Sequence, residues 1–259
     1  MTEEMSPGAE PLAAELDEAI AQNRLALYYQ PVVSLVDRVA SEVEALLRWP
    51  RNGRQILAPP DFISIAKQFG LLEGLERWAI RAAFDQLAHW KRATDLDVAL
   101  NISEQHVFGA SLPEEIRDSS EANDVDPARL SLEIAESSSP EPGDSRLGRL
   151  SELRELGVSL TIDDYSGEVS PERISELPVK SLKISRRITA GIPDGERQSD
   201  IAASALQLAE QLDVMVIANG IESPGQLAAL RDMGCRYGQG FLFSIPMPAN
   251  VLAQRAMPR

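Results

Sequence analysis

Leu25-Ala26-Leu27-Tyr28-Tyr29-Gln30-Pro31-Val32-Val33, a short turn, and then Val39-Ala40-Ser41-Glu42-Val43-Glu44-Ala45-Leu46-Leu47-Arg48-Trp49 are the stretch that decides the fold. Both runs are rich in apolar and β-branched residues. Their connection is too short for a helical crossover, so they pair as an antiparallel hairpin. From there on the chain alternates between two periods. Further strand-like runs fall at Leu96–Ile102, Leu130–Ile134, Val158–Ile162, Val179–Ile184, Val214–Ala218 and near Tyr237–Phe243. Helical patterns fall between them, at Asp61–Phe69, Gly74–Lys91, Glu104–Asp118, Ser145–Leu156, Pro171–Leu177, Ser199–Leu212 and Pro224–Met233. Repeated strand–helix alternation predicts a parallel sheet with helical crossovers. About eight strands in a chain of this length favour a closed (β/α)8 barrel over an open sheet, with the first strand running antiparallel.

The bulk numbers agree with one large α/β domain. The chain has 259 residues, 44% of them hydrophobic, and a formal net charge of −15. That charge argues against nucleic acid polymers and anionic membranes as partners. Cys235 is the sole cysteine, so no intrachain disulfide can form, and a reducing, cytoplasmic compartment is expected. Residues 1–10 read as a disordered tail and Pro11–Ala21 as an acidic leading helix. The expected division is therefore tail and leading helix at 1–21 and barrel domain at 22–259. The N-terminus lacks the basic and apolar parts of a signal peptide, and no apolar run approaches the ~20 residues of a membrane span.

Polar residues sit where the apolar runs end. Period two along Val39–Trp49 puts Glu42, Glu44, Leu46 and Arg48 on one face. A carboxylate followed by an arginine suits a metal beside a phosphate, but taken alone the face reads better as a solvated strand with a salt bridge. Asp163-Asp164 after Val158–Ile162 fits a helix cap or turn as well as a metal site. Glu133 lies inside an apolar run, where an unpaired carboxylate is costly, so it requires a cation or donors. Glu136 is placed to brace a loop. Lys183 alone reads as a lysine snorkelling from a strand end. Asn101 and Gln239 alone read as amides serving backbone groups. His89 and His106 fall in helical patterns as surface or helix residues, which leaves a histidine mechanism without support. Their joint placement, one per strand end, points to a metal-assisted site at one barrel mouth.

Those residues also resemble a known family. Glu44-Ala45-Leu46, with Tyr29-Gln30-Pro31, Asn101-Ile102-Ser103, Leu132-Glu133-Ile134-Ala135-Glu136, Ile162-Asp163-Asp164-Tyr165, Leu182-Lys183-Ile184, Gly234-Cys235 and Gln239-Gly240-Phe241, follow the motif order of the EAL domain. The likeness runs over about residues 22–250. It implies a TIM-type barrel and a cyclic di-GMP phosphodiesterase site using Mg²⁺ or Mn²⁺. On the resemblance, Glu44, Asn101, Glu133 and Asp163 hold the first metal, and Asp163 and Asp164 share a second with a glutamate of an Ala-Glu-Gly motif. Lys183 and Gln239 belong to the catalytic set. Gln30, Leu46, Arg48 and Glu222 contact ligand, and Phe241 stacks on a guanine. The product implied is linear pGpG.

Three departures qualify this. Ala218-Asn219-Gly220 replaces Ala-Glu-Gly, so the second metal loses a charged ligand and the attacking water loses a proton acceptor. The loop after the paired aspartates reads Tyr165-Ser166-Gly167-Glu168-Val169-Ser170, far from the family pattern that couples dimer interface to metals. Ser185 replaces an aspartate that contacts guanine. The expectation is a degenerate EAL domain that binds cyclic di-GMP as a regulatory module, with a plausible first metal and a doubtful second. The alternatives are a residual phosphodiesterase and a protein-interaction scaffold without nucleotide. A homodimer and a protein partner both remain open.

Overall fold

The computed structural model describes residues 9–51, 53, 55–91 and 94–256. The opening hairpin is β1 (Ala26–Ser34) and β2 (Ala40–Arg51), antiparallel in the register Gln30↔Glu44 and Tyr28↔Leu46. Parallel strands follow: β4 (Asp97–Asn101), β5 (Leu130–Ala135), β6 (Ser159–Tyr165), β7 (Ser181–Ile184), β8 (Met215–Asn219) and β9 (Tyr237–Gln239). β9 returns antiparallel to β1 at Val33↔Gly238, which closes an eight-stranded barrel. The antiparallel first strand and the helical crossovers therefore stand as expected. Two short accessory strands, β3 (Gln55–Leu57) beside β2 and β10 (Met247–Pro248) beside β1, carry little apolar signal.

The crossover helices α2 (Pro59–Gln68), α3 (Leu72–Trp90), α5 (Leu112–Asn123), α6 (Leu147–Glu155), α9 (Glu196–Leu212) and α10 (Pro224–Asp232) turn apolar stripes toward the barrel. α3 shows the rule, burying Leu75, Glu76, Ala79, Ile80, Ala83, Phe84, Leu87 and Trp90 at helical spacing. Glu76 is the one charged member of that stripe. The leading helix α1 (Ala9–Ala21) packs Leu16 and Ala19 into a second cluster with Leu25, Trp49, Phe62 and Leu75.

Four segments differ from the sequence reading. Helix α1 starts at Ala9, inside the stretch read as a tail; residues 1–8 lie outside the described residues. The pattern read as one helix over Glu104–Asp118 is two, α4 (Glu104–Val107) and α5, since Gly109 ends the first turn and Pro113 opens the next. The run near Tyr237–Phe243 stops at Gln239, because Gly240 lies so close to Ile221 that a Cβ there would collide with its backbone. Finally β6 does not end at Ile162. It continues through Asp163 and Asp164 to Tyr165, with an irregular register and Asp164 at φ +55. Among the described residues there are also the short helices α7 (Pro171–Ser175) and α8 (Arg186–Ala190) and the helix α11 (Ala249–Ala256).

Candidate functional site

Side chains two apart along a strand share a face, and residues paired across a ladder share it too. Ser131, Thr161 and Ser181 form one layer inside the barrel, joined by hydroxyl hydrogen bonds of 3.2 and 2.6 Å. Two residues further along the same three strands come Glu133, Asp163 and Lys183. The register Gln30↔Glu44, Asn101↔Glu133 and Asn219↔Gln239 brings the other strand ends to that level. The polar residues at the strand ends thus become one layer by strand geometry.

At its centre stands Lys183, fully buried. Its ammonium donates to Glu44 Oε2 at 2.7 Å and to both Glu133 carboxylate oxygens at 2.8 Å. The snorkelling reading of Lys183 is overturned: β7 is a wall strand of the closed barrel, and the Lys183 side chain is turned onto Glu44 and Glu133 in its interior, with no reach to solvent. Glu44 is likewise buried and accepts from Asn101 Nδ2 and Gln239 Nε2, both at 2.8 Å. On its strand face Glu44 is buried, while Glu42, Leu46 and Arg48 are half-buried rather than fully solvated. Gln239 also donates to Gln30 Oε1 at 3.0 Å, and Gln30 Nε2 donates to the Ser244 carbonyl. Asn101 and Gln239 therefore serve side chains rather than backbone.

One ammonium faces three carboxylates. Burial works against the Glu44 carboxylate, but Lys183 and its amide donors outweigh burial and hold its pKa below the usual value. Burial pushes Glu133 well above the usual range despite Lys183, with Glu44 and Asp163 adding to the rise. Burial also raises Asp163. Burial disfavours the charged lysine, yet Glu133, Glu44 and Asp163 hold it well above its ordinary pKa.

Glu44 joins this cluster to a cavity of about 670 Å³. Gln30, Glu44, Leu46, Arg48, Asn101, Asn219, Glu222 and Phe241 line it. Glu133, Asp163, Asp164, Lys183, Gln239 and Glu136 do not; most lie deeper, while Asp164 is exposed. Glu136 takes Ser166 N and Oγ at 2.8 and 2.9 Å and Val169 N at 3.0 Å, gripping the loop after β6.

A hard cation takes carboxylate and amide oxygens. Glu44, Glu133, Asp163 and Asn101 supply that chemistry, and Asp163 Oδ1 is buried without a hydrogen-bond partner. The donor set fits a hard divalent cation, with Lys183 holding two of the carboxylates together. The second set, Asp163 and Asp164 with Asn219, brings one carboxylate fewer than the resemblance leads one to expect.

Two cavity-lining groups escaped the sequence reading. Glu76 accepts from Ser103 N and Oγ at 2.8 and 2.9 Å and contacts His106 Nδ1 at 3.0 Å, while His106 Nε2 lies 3.1 Å from Glu115. His106 is 1% exposed and no surface residue; two carboxylates outweigh burial and raise its pKa. The signal was a glutamate on the apolar stripe of α3. Arg186, just past the end of β7, is the second.

Fold and site together define a closed α/β barrel protein with a buried cluster of carboxylates around one lysine beside a cavity. Residues 13–246 match the EAL domain, and the chain belongs to that family. It is 36% identical over 243 residues to the cyclic di-GMP phosphodiesterase NbdA of Pseudomonas aeruginosa, covering 93% of this chain and 31% of the relative. It is 33% identical over 245 residues to the oxygen sensor protein DosP of Escherichia coli, covering 92% and 30%. Among solved structures, the PaMucR phosphodiesterase in complex with c-di-GMP superposes with a TM-score of 0.88 at 30% identity, covering 93% of this chain and 99% of that one. The chain thus spans about a third of the length of these curated relatives. No helix among the described residues is long and apolar enough to cross a membrane.

Proposed function

We propose that this barrel is a cyclic di-GMP-binding signalling module in which phosphodiester hydrolysis is lost or strongly reduced. The observation that carries the reading is Asn219. It ends β8, lines the cavity, and stands where the family motif has a glutamate. An asparagine offers a neutral carbonyl oxygen and cannot take up a proton. Loss of a general base alone costs about 10²–10⁴ in rate.

Binding is supported by what remains. Arg48, half-buried at the cavity wall with its Nη1 on the Leu47 carbonyl, offers a cation to a phosphate. Gln30 and Glu222 offer polar contacts and Phe241 a stacking face. Glu44, Asn101, Glu133 and Asp163 would hold the first Mg²⁺ or Mn²⁺, which when bound polarises a phosphoryl oxygen and makes water more acidic. Lys183 holds Glu44 and Glu133 close together, Gln239 and Asn101 orient Glu44, and Glu136 fixes the loop that follows Tyr165. The division into a leading segment at 1–21 and a functional barrel at 22–259 belongs to the same proposal, as do a cytoplasmic setting and a homodimer or protein partner.

A residual phosphodiesterase is the second reading, favoured by the complete Glu44–Lys183–Glu133 cluster and by the kinship to NbdA. Calorimetric titration with cyclic di-GMP, once in Mg²⁺ and once in Ca²⁺, tests the main one. Saturable binding in both with no pGpG formed is expected. No heat up to high micromolar ligand overturns it and leaves the scaffold.

A further inference from the structure

The cavity mouth carries an arginine that neither the motif likeness nor the proposed machinery uses. Arg186 is the first residue of α8, directly after Ser185, where the family's guanine-contacting aspartate is missing. Its stem lies along Gly220, which has φ +80 and whose added Cβ would collide with Arg186 Cγ. A glycine at 220 is thus what admits the arginine to the mouth. Its Nη2 donates to Glu222 Oε1 at 2.6 Å, which orients the guanidinium. Its Cζ stands 5.8 Å from the Phe241 ring centroid. Phe241 is 57% exposed, a large aromatic left open beside the cavity.

The separation is informative. Carbon atoms in direct contact approach to about 3.5–4.0 Å. A slot holding one base between two planes needs roughly 7 Å, twice the ~3.4 Å stacking distance. At 5.8 Å from the ring centroid the guanidinium stands over Phe241 at the outer edge of cation–π range, and an outward movement of this exposed side chain would make room for a base between them. Guanidinium and aromatic planes are the two surfaces on which proteins stack unpaired bases.

We propose that Arg186 is a base-clamping residue, its guanidinium closing over a purine seated on Phe241 to form a two-jawed slot for one guanine of the dinucleotide. This rests on the cyclic di-GMP reading above. It gives the chain a planar cation at the position next to the lost aspartate, so that stacking takes over from a hydrogen bond. A guanidinium bound instead to phosphate would act by charge alone, and lysine separates the two, keeping the charge without the plane.

The test compares the parent chain with Arg186→Ala, Arg186→Lys and Phe241→Ala. Calorimetry gives the affinity for cyclic di-GMP, and a cyclic dinucleotide with 2-aminopurine in place of one guanine reports stacking by fluorescence quenching. Thermal midpoints confirm folding, which an exposed side chain should leave intact. Both Arg186 variants are expected to bind about tenfold more weakly and to quench less, with Phe241→Ala at least as affected. Parent-like affinity in Arg186→Lys makes the residue a phosphate contact and overturns the clamp. Unchanged affinity and quenching in Arg186→Ala overturn it too, while the binding reading stands. A parent that binds neither nucleotide removes both.

Discussion

Lys183→Met removes the charge at the centre of the site while keeping most of the side chain's bulk. In the parent, the ammonium satisfies Glu44 at 2.7 Å and Glu133 at 2.8 Å with no solvent access. Stranding the partners of a buried ion pair costs about 3–5 kcal/mol. For a domain of this size each kcal/mol moves the thermal midpoint by roughly 2–4 °C, so the fall should be roughly 6–20 °C. The loss should depend on pH in a defined direction. Glu133 already sits above its usual range through burial, and without the ammonium both carboxylates rise. A group whose folded pKa lies above its unfolded value, near 4.3 for glutamate, loses stability as pH climbs through the folded pKa. The variant should therefore lag the parent more at about pH 8 than at about pH 5. Thermal unfolding followed by circular dichroism at the two pH values measures this, and added Mg²⁺ should return part of the deficit only at the higher pH. Equal midpoints for parent and variant at about pH 8 would refute the picture of a lysine holding the carboxylates together.

His106 lies between Glu76 and Glu115 with a raised pKa, so its stabilisation is full below its unfolded value of 6.5 and fades as pH rises through the folded one. Denaturant midpoints of the parent should fall from about pH 6 to about pH 9, and those of His106→Gln should fall less; parallel curves would contradict this. Glu136→Ala removes three hydrogen bonds to the loop after β6. It should speed amide exchange at Ser166 and Val169, with local opening easier by about 1–3 kcal/mol, while exchange in β7 stays unchanged. Unaltered exchange in that loop would show that other contacts hold it.

The fold was legible because it rests on periodic burial. The hairpin followed from two apolar runs with no room for a helix, and the crossovers from helical stripes between short strands. Where local chemistry competed with periodicity, the reading slipped. The stripe from Glu104 to Asp118 hid the break at Gly109, and the apolar residues after Gln239 hid the close approach of Gly240 to Ile221. The site was legible as a set of strand ends but not as a network. Lys183 lies 139 residues from Glu44 and 50 from Glu133, and only closure of β9 onto β1 buries all three together. Lys183 alone looks like a surface lysine for that reason. Glu76 and His106 were missed because their partners lie on three different helices.

Asn219 carries the functional claim, and the direct measurement is the rate of cyclic di-GMP hydrolysis by the parent and by Asn219→Glu, assayed side by side in Mg²⁺ and Mn²⁺. The account predicts a parent with little or no pGpG formation and a variant faster by about 10²-fold or more. A parent that already turns over at a rate the glutamate does not raise would contradict it, and would place this chain among the working phosphodiesterases.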